Sequence, residues 1–187
     1  METYHLFWYL ADPSLSEEDV HMRLELMRYH LNFEKYRLYK EGGQGQETLS
    51  EFEEGLPQER AALASLPAFR SLPKALQSDL LKGKRPMHLT HTQIGNSLPF
   101  ITGYFQPIYR LFSNQVHSTP FSFSAQSNER GRGFENDAER LYVTLSVQVV
   151  TKYMTAAVIE MARIFPDAIA KPCAGLIDLA RQAHSEV

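Results

Sequence analysis

The chain has 187 residues, 43% hydrophobic and 22% charged, with a formal net charge of -3 and a single cysteine, Cys173. That length suits one domain, 1–187, with a core of ordinary size. The weak negative charge excludes a global basic field for nucleic acid, and one cysteine excludes both an internal disulfide and a cysteine-based zinc cluster.

Met1 is followed by Glu2 and then aromatics, with no basic start and no small-residue cleavage site, so no signal peptide is expected. Glu2 to Ala11 is aromatic-rich and reads as a short buried helix, ended by Asp12-Pro13 because the residue before proline avoids the helical region. Ser16 with Asp19 forms a capping-box-like start, and the helix it opens runs to about Glu41 and stops at Gly42-Gly43. Val20, Leu24, Met27, Leu31 and Leu38 are its expected main apolar stripe. Met22, Leu26, Tyr29, Phe33 and Tyr36 widen that stripe, so neighbours are expected on more than one side. Arg23, with Arg28, Glu18 and Glu25, reads as part of an ordinary charged stripe.

Pro57, Pro67 and Pro73 predict short helices near Leu49–Gly55, Gln58–Leu66 and Pro73–Leu81. Lys82 to Pro86 is a basic connector, and a short helix is expected to start near Thr90 or Thr92. Pro99 to His117 reads as one amphipathic helix kinked at Pro107. Ser118 to Asp137 is a polar loop, long for a compact domain. A long helix follows over about Glu135 to Phe165, with Val143, Val147, Val150, Met154, Ala157, Met161 and Phe165 at heptad-like spacing, and a final helix covers about Cys173 to Ser185. The run Leu141 to Val150 contains Thr144, Ser146 and Gln148 and is too short and polar to span a bilayer by itself, so no membrane partner is expected. No strand pair or repeat is evident. The fold class is therefore all-α, a bundle of about five to seven helices with two long helices framing the Pro99–His117 helix.

The Pro99–His117 helix carries the chemistry. With Arg110 at zero on a wheel of about 100° per residue, Phe105, Ile108, Phe112 and Val116 lie opposite, with Tyr109 beside them. Gly103, Gln106, Arg110, Ser113, Asn114 and His117 lie on the near side. That side has no Lys or Glu, unlike a solvated face, and its residue types suit a partly buried, hydrogen-bonded surface. His is the side chain best suited to move protons near neutral pH, and Arg stabilises charge developing on a phosphoryl group. Ser113 and Asn114 can orient a phosphate or the imidazole. Such a set can cleave RNA without a metal or cofactor, and Gln106, Arg130 and Arg132 are candidate substrate contacts.

Arg110 and His117, with six residues between them in an all-α chain, resemble the motif of the HEPN superfamily. The string IYRLFSNQVHSTP resembles a bacterial HEPN-like family of unknown function in which a Tyr-Arg, a Ser and a Val-His recur. The resemblance implies an all-α fold, frequent homodimers and, in active members, metal-independent ribonuclease chemistry at a dimer cleft, with Arg110 and His117 as the catalytic pair. Where many active members have a polar residue after the Arg, this chain has Leu111. That departure keeps a second reading open, a non-catalytic domain that binds a ligand or a protein partner. His88 and His91, three apart, could with His117 offer three imidazoles, but no carboxylate stands at a supporting spacing and no metal is expected. Cys173 alone fits a cytoplasmic protein.

Overall fold

A computed structural model describes residues 1–98, 100, 105–116, 136–169 and 173–186. Among them are ten helices and no strand, so the all-α class holds and the helix count exceeds the expected five to seven. In chain order they are α1 (Glu2–Ala11), α2 (Glu17–Glu41), α3 (Gln46–Ser65), α4 (Pro67–Arg70), α5 (Lys74–Leu81), α6 (His91–Ser97), α7 (Phe105–Val116), α8 (Asp137–Ile164), α9 (Pro166–Ile169) and α10 (Ala174–Glu186). Part of the excess comes from single-turn pieces: α4 and α9 each begin on the proline that ends the helix before it. Two long helices stand out, as expected: α2 with 25 residues and α8 with 28.

The chain divides into two compact units, Trp8–Thr90 and Met1–Phe7 with His91–Val187, so α1 contributes to both. In the Trp8–Thr90 unit, α2 opens on the anticipated capping box. The Asp19 amide donates to Ser16 Oγ at 3.1 Å, and the Ser16 amide faces Asp19 Oδ2 at 3.4 Å. Gly43 closes the helix with φ 68°, a left-handed conformation that glycine adopts without strain.

The core of this unit is Met22, Leu26, Tyr29, Leu63, Phe69 and Leu80, with Phe33, Leu56 and Leu76 packed against it. Each fully buried side chain of this kind stabilises by about 1.5–3 kcal/mol. The buried face of α2 is therefore the Met22–Leu26–Tyr29 side. Leu24, Leu31 and Leu38, expected in the main stripe, are 48%, 53% and 66% exposed. Both stripes repeat with helical spacing, and only the position of α3, α4 and α5 decides between them.

Pro57 does not divide α3. An interior proline removes one hydrogen bond and costs about 3 kcal/mol. Leu56 and Leu63, on either side of it, both pack on α2, and that shared burial outweighs the local cost.

The other unit is built on α8. Val149, Tyr153 and Ala156 are buried on one side of it, and α10, which buries Ile177 and Ala180, packs along it. Asn136 caps its start by accepting the Glu139 amide at 2.9 Å. The stripe of heptad-like spacing faces outward: Val143, Val147, Val150 and Met154 are 58–61% exposed. By length and composition α8 is the one helix among the described residues that could cross a membrane. The α6 and α7 helices pack on each other through Gly95 and Phe105.

Candidate functional site

The site is α7 and the cluster on which it is seated. Its inner face is as expected at Phe105, 1% exposed, whereas Ile108, Tyr109 and Phe112 are half-buried.

Beneath α7 lies a chain of ring groups drawn from α1, α6 and α8. His5, on the otherwise aromatic α1, is fully buried. Its Nε2 lies 3.0 Å from the Tyr153 hydroxyl and its Nδ1 lies 3.3 Å from Nδ1 of His91. One imidazole must donate and the other accept across the Nδ1 pair, so the tautomers of His5 and His91 are coupled. The Phe105 ring meets the His5 ring edge-on at 5.0 Å, and Tyr109 stacks on His91 at 6.3 Å. Tyr109 then donates its hydroxyl to the Glu2 carboxylate at 2.8 Å. Tyr4, Phe100 and Tyr153 form a mutually edge-on triad at 5.3–5.7 Å that closes the far side.

Burial sets the protonation of this cluster. It pushes His5 down to about 4, helped by the neighbouring His91, so His5 is neutral near pH 7. Burial also pushes the Tyr4 and Tyr153 phenols well above their usual range, and both stay protonated. The hydrogen bond to Glu2 raises Tyr109.

A second buried histidine lies in the Trp8–Thr90 unit. His88 Nδ1 is 2.7 Å from the Tyr9 hydroxyl, and burial pushes His88 down to about 4 as well. Burial pushes Tyr9 up to about 12, so its phenol keeps its proton. Arg23, expected on a solvated stripe, is only 9% exposed. It donates through Nη1 to the Tyr9 carbonyl and holds its guanidinium 4.5 Å over the Tyr9 ring, while its buried Nε meets no hydrogen-bond partner among the described residues. Arg85 donates to the carbonyls of Met87 and His88 at 3.1 and 2.9 Å and fixes the segment that carries the imidazole.

These histidines predict acid sensitivity. Both have folded-state values below the ordinary 6.5, so the unfolded chain binds more protons between about pH 4 and 6.5. Their stabilising contribution is complete above 6.5 and is lost as pH falls towards 4. For His5, the fully buried one, the loss is about 2 kcal/mol. Guanidinium unfolding followed by circular dichroism should give a clearly lower midpoint at pH 5 than at pH 7.5. An equal or higher midpoint at pH 5 would refute this account.

On the outer side of α7, Arg110 and Gln106 are exposed, while Ser113 and Asn114 are half-buried. The expected partial burial of the stripe holds for the last two and not for Arg110. Asn114 Nδ2 donates to the Arg110 carbonyl one turn back at 2.8 Å, so part of its amide serves the helix itself. His117, Arg130 and Arg132 lie outside the described residues. Among the described residues no group of three or more His, Cys, Asp or Glu is placed to hold a metal ion. His88 and His91 are each engaged separately, by Tyr9 and by His5.

The His5–Tyr153 and His5–His91 contacts carried no pairwise signal in the sequence. The one hint was a histidine set in the aromatic run YHLFWYL, which marks a buried polar group in need of partners. The chain matches no family model, no curated protein and no solved structure.

Proposed function

We propose that this chain is a HEPN-like helical domain that acts as a cytoplasmic homodimer and cleaves RNA without a metal, using Arg110 and His117. The observation that carries the reading is the placement of Arg110. It is exposed on α7, beside half-buried Ser113 and Asn114, while the next residue inward, Tyr109, anchors the helix to His91 and Glu2. An accessible guanidinium on a firmly seated helix is what phosphoryl-charge stabilisation requires.

In this reaction His117 removes the proton from a ribose 2′-hydroxyl and the oxygen attacks the adjacent phosphorus. The 5′-oxygen leaves, taking a proton from solvent water, and a 2′,3′-cyclic phosphate remains. Arg110 holds the charge that builds on the phosphoryl oxygens. Ser113 and Asn114 orient the phosphate or the imidazole, and Gln106, Arg130 and Arg132 contact the flanking strand.

Incubation of the full chain with labelled RNA in EDTA tests the reading. Cleavage should be lost in His117→Ala and in Arg110→Ala. Cleavage that survives both changes excludes these residues. A wild-type protein that cuts nothing leaves the second reading, a non-catalytic interaction domain, which Leu111 and the exposed apolar stripe of α8 favour.

A further inference from the structure

The residues that a solvated helix would hide are the ones α8 displays. Val143, Val147, Val150, Met154, Ala157 and Met161 follow one another at alternating spacings of four and three residues, an unbroken a/d heptad seam. The first four are 59%, 58%, 60% and 61% exposed. They do not serve their own unit's core, because α8 buries a different face, Val149, Tyr153 and Ala156 at 5% each. From Leu141 to Thr151 the helix carries no Asp, Glu, Lys or Arg, and the residues flanking the seam are Thr144, Ser146, Gln148 and Thr151. Loss of charge around exposed aliphatics marks the centre of a protein interface rather than a wetted surface.

The α2 helix supplies the contrast. Its exposed Leu24, Leu31 and Leu38 stand among Arg28, Glu34, Lys35 and Arg37, with Arg37 paired to Glu34 at 3.0 Å. That face is solvated by its charges, and the α8 face is not.

The repeat also selects the occupant. A seam with a period of 3.5 residues is filled by a helix of the same period, whose side chains enter its holes. A bilayer makes no such demand, and it would penalise Lys152 at mid-helix, whose ammonium faces the Phe100 carbonyl at 3.5 Å. A second copy's α8 carries this same period, so two copies joined along the seam would cover in each other the four side chains that are 58–61% exposed. Leu176 and Leu179 on α10, 63% and 62% exposed, add further apolar area on the helix packed along α8.

We infer that the Val143–Met161 seam of α8 is a self-association surface on which a second copy of this chain lays its own α8. The inference shares with the proposed function only the second copy. A dimer that cuts no RNA leaves it intact, and a seam-independent dimer that cuts RNA removes it.

The test is the mass of the full chain by light scattering and sedimentation over a wide concentration range. Wild type should be dimeric. Val147→Glu and Met154→Glu should weaken dimerisation at least about 100-fold with helicity unchanged. Leu31→Glu on α2 should leave the dimer as it is. If the glutamate variants lose helicity, the milder pair Val147→Ser and Val150→Ser replaces them. In a Cys173→Ser background, Val150→Cys should cross-link to its counterpart on oxidation. Three results would overturn the inference. One is a dimer indifferent to the seam variants. Another is a wild-type monomer over the whole concentration range, whether or not the Val150→Cys thiol reacts with maleimide. The third is a monomer that sediments with phosphatidylcholine–phosphatidylglycerol vesicles and loses this with Val147→Glu.

Discussion

Phe69→Ala is expected to cost about 3–5 kcal/mol and to unfold the Trp8–Thr90 unit under mild denaturant. Phe69 is fully buried on the single-turn α4 and sits in the cluster with Met22 and Leu26 of α2, Leu63 of α3 and Leu80 of α5. Deleting the ring leaves a cavity whose walls belong to several helices held by other contacts, so it cannot collapse cheaply. A domain of this size has about 5–15 kcal/mol in hand, and the loss is a large share of it. Trp8, the only tryptophan, is 8% exposed and belongs to the same unit, so its fluorescence reports the transition directly. Leu31→Ala, at a site 53% exposed, is the control and should stay within about 0.5 kcal/mol of wild type. Equal midpoints for the two variants would show that Phe69 is not where this core is concentrated.

That pair of leucine and phenylalanine sites also shows where the sequence was readable. The termini of α2 were legible because each depends on chemistry within a few residues: Ser16 with Asp19 at one end, Gly42 and Gly43 at the other. The buried side of α2 was not. Both of its apolar stripes repeat with helical spacing, and periodicity fixes the angle between residues without fixing where the neighbouring helix stands. The same ambiguity governed α8, whose most regular stripe faces outward. Pro57 misled for a related reason: a local rule counts one lost hydrogen bond and cannot count the packing of Leu56 and Leu63.

At the site, Phe105 was legible as a core residue because it stands opposite Arg110 on a short amphipathic helix. The partners beneath it were not, since His5 meets Tyr153 across 148 positions of chain and no spacing rule reaches that far. Arg110 illustrates the middle case. Its face followed from helix geometry, but its exposure depends on what stands above the helix, and composition alone suggested more cover than there is.

Gly95→Val is expected to cost about 3 kcal/mol and to loosen α7. Gly95 is buried in α6 with the Phe105 ring lying against it, and a β-carbon added there would come within 2.5 Å of Phe105 Cγ. Cδ1 and Cε1 would lie about as close, and turning the ring about its Cβ–Cγ bond leaves Cγ in place, so a ring flip does not relieve the clash. Phe105 is 1% exposed and held edge-on by His5, so it has no vacant space to enter. Replacing a helical glycine ordinarily stabilises by up to about 1 kcal/mol, an amount the overpacking exceeds. Gly55→Ala isolates the favourable part, because a β-carbon at Gly55 of α3 meets nothing within 4 Å, and that variant should be slightly more stable than wild type. In Gly95→Val the ring, and α7 with it, must move outward, pulling Tyr109 off His91 and off the Glu2 carboxylate. Amide hydrogen exchange in α6 and α7 should therefore accelerate well beyond that in α3, and any RNA cleavage that depends on Arg110 should fall although Arg110 itself is intact. Unchanged exchange in α7 would mean that the Gly95–Phe105 contact is not what seats the helix.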